Sequence, residues 1–156
     1  MMKKILCAAS LMYASHVTAA VFDLTAQLSP RLEQGCQSRG IVFDFYDEID
    51  DEMHLKSSFK NQVAQHIEDG SQTSWGDKYV LKNAQYRGVK VKSIEFVTGR
   101  SKDRTQWIVF DIRTPEAKAK FNQIKFNRSQ QPHMAPEIEK TSKEATVYCY
   151  IGNPFG

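Results

Sequence analysis

Residues 105–112, TQWIVFDI, are apolar without a break from Trp107 to Phe110. A strand with one wet face alternates apolar and polar residues, whereas a strand covered on both faces reads as a continuous apolar run. The segment therefore predicts a strand in the middle of a sheet. Just upstream, beyond a charged turn at 99–104, VKVKSIEFVTG sets Val89 and Val91 in one alternation and Ile94 and Phe96 in the other. A slip of phase of this kind marks a bulge or a short break in a strand. KYVLKNAQYRG predicts another strand over 78–86, rich in Tyr, Val and Leu. Downstream, TPEAKAKFNQI predicts a helix. Thr114 caps it, Pro115 occupies the first helical position, Glu116 faces the positive helix end, and Ala117, Phe121 and Ile124 form its apolar stripe. The segment 127–143 holds two prolines and few apolar residues and predicts a loop. EATVYCYIG closes the chain as a last strand.

The first half is read in the same way. Leu24, Leu28 and Leu32 recur every four residues, Ser29-Pro30 has the character of a cap followed by a first helical proline, and Gly35 is a stop signal. A short helix ending just before Cys36 is expected. GIVFDFYDE predicts a strand over about 41–47. In IDDEMHLKSSFKNQVAQHIEDG, Leu55, Phe59, Val63 and Ile67 also recur every four residues, the spacing of one helix face, with Asp50 or Asp51 to cap and Gly70 to end it. GSQTSWGD then predicts a polar loop carrying Trp75. The order of helix, strand, helix, two or three strands, helix and strand gives an α+β domain. Its expected architecture is a mainly antiparallel sheet of four to five strands packed with two or three helices.

The first twenty residues stand apart. Lys3 and Lys4 precede an apolar run from Ile5 to about Ala14, and Val17-Thr18-Ala19-Ala20 supplies small residues at the end. That order predicts a secretory signal peptide over 1–20 and a single α+β domain over 21–156. Loss of the leader removes Lys3, Lys4 and Cys7, so the 21 basic residues become 19 against 18 acidic ones and the three cysteines become two. Two cysteines in an exported chain are expected to pair, which predicts a Cys36–Cys149 disulfide and a periplasmic or secreted location. Apolar residues make up 41% and charged residues 25% of the 156, ordinary values for a folded domain, and no stretch of the mature chain reaches the length of a membrane span.

Motifs of chemistry are few. The acidic run Asp44, Asp47, Glu48, Asp50, Asp51, Glu52 and His54 contains cation-ligating types but lacks the spacing of a calcium loop, so it reads as a solvated strand-to-helix connection. His54 and His66, twelve residues apart on one expected helix, cannot hold one ion together, and both read as surface histidines. The chain has no Gly-x-Ser-x-Gly elbow, no His-Glu-x-x-His and no phosphate-binding glycine loop. No metal, cofactor or nucleic acid is expected, and enzymatic activity is disfavoured.

Charge is segregated. Residues 44–77 carry nine acidic and two basic side chains, whereas 78–128 carry thirteen basic and four acidic ones. The candidate binding surface is the 99–104 turn with Trp75 and Tyr86 beside it and a basic face drawn from Lys90, Lys92, Arg100, Lys102 and Arg104. The expected function is that of a small exported binding protein acting on a protein partner in the cell envelope or outside the cell, of inhibitor, immunity or adaptor type. Two alternatives remain open at this point. One is a module that binds an anionic envelope glycan or lipid through the basic face. The other is a small hydrolase that uses the carboxylates near Asp47 and Asp51.

Overall fold

In a computed structural model that describes residues 20–36, 45–49, 52–71, 74–99, 104–126, 136–139 and 143–152, the chain runs in order through β1 (Phe22–Asp23), α1 (Thr25–Leu32), β2 (Tyr46–Ile49), β3 (Glu52–Leu55), α2 (Ser57–Lys60), β4 (Val63–Gly70), β5 (Ser74–Tyr86), β6 (Val89–Gly99), β7 (Arg104–Phe110), α3 (Thr114–Lys120), β8 (Glu137–Ile138) and β9 (Ala145–Gly152). The architecture is α+β, but richer in strand than expected. One mixed sheet has seven strands, in the order β1-β5-β6-β7-β9-β8 with β4 also on β5, and β2 and β3 form a separate hairpin. The signal-peptide reading over 1–20 lies almost entirely outside the described residues.

β7 is interior, flanked antiparallel by β6 and β9, but only one of its faces is fully covered: Ile108 and Phe110 are buried, whereas Trp107 and Val109 on the other face are half-buried. The phase slip of β6 is also real. The β6–β7 register shifts between Val91 and Ser93, and Val91, Ser93, Ile94 and Phe96 are all buried. The β5–β6 hairpin turns through Arg87 (φ 47°) and Gly88 (φ 73°). Two consecutive central residues with positive φ are the mark of the tight turn whose twist matches antiparallel strands.

β5 is long enough to hold two neighbours on one edge. β4 pairs antiparallel with Trp75 to Leu81, and β1 pairs parallel with Ala84 and Gln85, beyond a register shift between Val80 and Ala84. One face of the sheet carries Tyr79, Ile94, Ile108, Phe110, Val147 and Cys149, and α1, α2 and α3 lie on it. Phe59 of α2 meets Tyr79 at 5.9 Å between ring centroids, and Phe121, just after α3, meets Tyr86 at 5.3 Å and Phe110 at 4.8 Å. Leu24, Leu28 and Leu32 bury the α1 side of the same core.

Cys36 and Cys149 are disulfide-bonded with Cα atoms 5.3 Å apart, fastening the end of α1 to β9. Beside this bond the buried Arg31 donates from Nη2 to the Tyr150 carbonyl at 3.1 Å, and burial pushes its pKa down to about 10.

Three expectations are corrected. The 49–70 segment is not one helix: it contains β3, the single turn α2, and β4. A spacing of four is two full strand periods as well as about one helical turn, and in the strand a register shift between Val63 and Gln65 leaves Val63 against the core and Ile67 exposed on the other face. α1 starts at Thr25 rather than at Pro30, which is interior. Asp23 Oδ1 accepts hydrogen bonds from the Thr25 amide at 2.9 Å and the Thr25 hydroxyl at 2.6 Å, and so supplies the start signal instead. The strand expected at 78–86 begins at Ser74, which moves Trp75 from a loop into a paired strand.

Candidate functional site

Toward the Trp75 end of the β4–β5–β6 ribbon the β4 side opens to solvent, while Phe96 and Thr98 on β6 stay buried. Directly opposed residues in antiparallel strands share a face, so the register gives three successive rows. His66, Tyr79 and Ile94 form the first, Glu68, Asp77 and Phe96 the second, and Gly70, Trp75 and Thr98 the third.

The first row closes the core. Tyr79 is buried, and its hydroxyl accepts a hydrogen bond from the Tyr46 hydroxyl at 2.8 Å. His66 lies flat on the Tyr79 ring, with centroids 4.6 Å apart and planes 11° from parallel. Burial is the main force raising the Tyr79 pKa, and the charges of Asp77 and Glu68 push it the same way.

The second row is acidic. Asp77 Oδ1 lies 2.8 Å from His66 Nε2, and Glu68 Oε1 lies 4.0 Å from His66 Nδ1. The third row ends on Trp75, which is 52% exposed and held between β4 and β6. Gly70, directly across on β4, has no side chain to cover the indole.

The residues singled out from the sequence do not form one surface. Tyr86 is fully buried, with its hydroxyl donating to Glu33 Oε1 at 2.7 Å, so it is a core residue and not part of a binding face. Burial comes first, and the Glu33 carboxylate second, in pushing the Tyr86 pKa up to about 12. Lys90 and Lys92 are at the far end of β6 from Trp75; Lys90 to Thr98 spans about 25 Å of extended strand.

Both lysines face carboxylates, Lys90 pairing with Asp111 at 3.3 Å and Lys92 pairing closely with Glu144. Arg104 opens β7 opposite Thr98 and Gly152. Arg100 and Lys102 lie outside the described residues. Of the acidic run, Asp47 is exposed on the β2–β3 hairpin, paired with Lys56 at 3.8 Å and opposite His54 in the ladder. Asp44, Asp50 and Asp51 lie outside the described residues.

His66, Glu68 and Asp77 escape a sequence reading that places 49–70 on a helix, where positions 66 and 68 point apart. As a strand, His66-x-Glu68 puts both side chains on one face, and that alternation was the available signal. No protein-family model, curated protein or solved structure matches the chain.

Proposed function

We propose that the chain is a small exported protein that acts by recognising a protein partner, in the periplasm or outside the cell, and that Trp75 anchors the contact. The observation that carries this reading is the exposed Trp75 indole on a strand hydrogen-bonded along both edges. Aromatic anchors on rigid elements lose little conformational freedom on binding, and tryptophan is the side chain most enriched where binding energy concentrates. Export accords with the Cys36–Cys149 disulfide, since such bonds persist in oxidising compartments. Among the described residues, no helix is long and apolar enough to cross a membrane.

The test is capture from the native host's envelope extract and culture medium on immobilised wild-type and Trp75→Ala chains, at low and moderate salt. The expected result is one partner in stoichiometric amount, retained at moderate salt by the wild type. The alanine variant binds it about 30-fold or more weakly, a loss of about 2 kcal/mol. Because the indole is exposed, the variant keeps its unfolding midpoint to within about 0.5 kcal/mol. Equal capture by both chains removes Trp75 from the interface. Retention confined to low salt assigns the binding to anionic envelope material. A cytosolic chain with Met1 intact and both thiols reduced overturns the proposal as a whole.

A further inference from the structure

We infer that His66, Glu68 and Asp77 form a binding site for a divalent transition-metal ion of the zinc class. One nitrogen of His66 and one carboxylate oxygen each of Glu68 and Asp77 all lie within 4.8 Å of one another. Two donors bound tetrahedrally to one zinc ion at about 2.0–2.2 Å sit about 3.3–3.6 Å apart. The three groups are thus already nearly in place. Glu68, with a side chain 81% exposed, has room to move inward by the one to two ångströms, roughly, that a tetrahedral spacing requires.

Three further observations point to a cation here. First, Glu68 and Asp77 are directly opposed in the β4–β5 ladder. Like charges in that position repel, and a cation held between them would relieve the repulsion. Second, the pleat removes the neighbouring lysine. Lys78 belongs to the opposite face, where it pairs with Glu95 at 3.8 Å. Third, the imidazole is pre-oriented. Its stacking on Tyr79, itself buried and hydrogen-bonded to Tyr46, fixes the ring plane before any ion arrives. A ligand so held loses little freedom on binding, the role that outer-shell partners play in established metal sites.

The donor set selects the ion. Imidazole nitrogen favours zinc, copper and nickel, whereas magnesium and calcium call for oxygen donors alone. Three protein ligands leave a fourth tetrahedral position open. The site stands beside Trp75 but does not depend on Trp75 seating a partner.

The test is calorimetric titration of zinc chloride into the full disulfide-bonded chain carrying no affinity tag, with calcium chloride as comparison. Wild type, His66→Ala, Asp77→Asn and His54→Ala are titrated in parallel. The expected result is one zinc ion per chain, with affinity about 10–100-fold lower in the His66 and Asp77 variants, unchanged in the His54 variant, and no calcium uptake at matching concentration. Far-ultraviolet circular dichroism of each variant separates loss of the site from loss of the fold. If His66→Ala unfolds the chain, Glu68→Gln, altered at an exposed position, replaces it and is expected to weaken zinc several-fold. No zinc uptake by the wild type, or equal uptake by the folded variants, overturns the inference, as does calcium binding as strongly as zinc.

Discussion

Glu33 accepts hydrogen bonds from Ser29, Tyr86 and Arg87 and so holds the end of α1 against the β5–β6 turn. Its Oε1 accepts from the Ser29 hydroxyl at 2.8 Å, the Tyr86 hydroxyl at 2.7 Å and Arg87 Nε at 2.6 Å, while Oε2 accepts from Arg87 Nη2 at 2.8 Å. The Arg87 guanidinium, more than any other partner, holds the Glu33 pKa down at about 2 against an ordinary 4.5. A carboxylate whose folded-state pKa is depressed adds stability above its unfolded value and loses it as pH falls through the folded one. The Glu33 contribution is therefore full above about pH 4.5 and fades toward pH 2. Glu33→Gln is expected to lower stability by about 1–2 kcal/mol at neutral pH, a charge-assisted network discounted for the solvent around Arg87. In urea unfolding followed from pH 7 to pH 2, the gap between variant and wild type closes across that window. Glu116, which lowers its own pKa chiefly through the Arg113 hydrogen bond but stands in the open, serves as a contrast. Its change to glutamine leaves the midpoint essentially unmoved.

The turn that Glu33 grips has its own requirement. Gly88 sits at φ 73° with open space where a Cβ would project, so the strain of a substitution there is backbone strain and not a clash. Gly88→Ala is expected to destabilise by about 1 kcal/mol, the cost of forcing a side-chain-bearing residue into the left-handed region. A thermal or urea midpoint checks it, with the near-ultraviolet spectrum unchanged. The bulge in β6 and the interior position of β7 were legible in the sequence because each rests on local chemistry: a break of alternation and an apolar run. β4 was not legible. Its apolar residues, Val63 and Ile67, have the spacing of a helix face, the strand breaks that spacing with a register shift between Val63 and Gln65, and seven of its eight residues, Ile67 among them, face water. What makes it a strand is the edge of β5, whose residues pair with it from Gly70–Trp75 out to Val63–Leu81, a partner that the pattern within 63–70 does not report. The same error hid the side-by-side placement of His66, Glu68 and Asp77, and it put Trp75 in a loop. Tyr86 was misplaced for a different reason. A tyrosine among charged residues looks like a surface anchor, but its hydroxyl reaches Glu33, and the ring then serves the core against Phe110 and Phe121.

α1, α2 and α3 lie on one side of the sheet, and the first and last of the described long elements are joined there by Cys36–Cys149 across a sequence separation of 113. Chain-entropy arguments assign a closed loop of that size roughly 4–5 kcal/mol, mostly by limiting the unfolded ensemble, and measured losses for native bonds run at about 2–5 kcal/mol. The bond also has non-covalent company: the Leu24, Leu28 and Leu32 stripe packs into the core, and Arg31 donates to the Tyr150 carbonyl next to Cys149. These contacts define the folded position of α1 whether or not the sulfurs are joined, so the reduced chain is expected to keep its fold while losing stability. Urea unfolding of the oxidised chain, of the same chain in excess dithiothreitol, and of the Cys36→Ser/Cys149→Ser double variant should show a loss of about 2–5 kcal/mol in both altered forms, with equal circular dichroism before the transition. Agreement between the reduced and double-serine forms separates the covalent link from the chemistry of the added hydroxyls. A loss under about 1 kcal/mol would mean that packing alone seats α1, and would remove the physical reason for confining this fold to an oxidising compartment. A collapse of the dichroism in both forms would mean the reverse, that α1 and β9 meet only because the sulfurs make them.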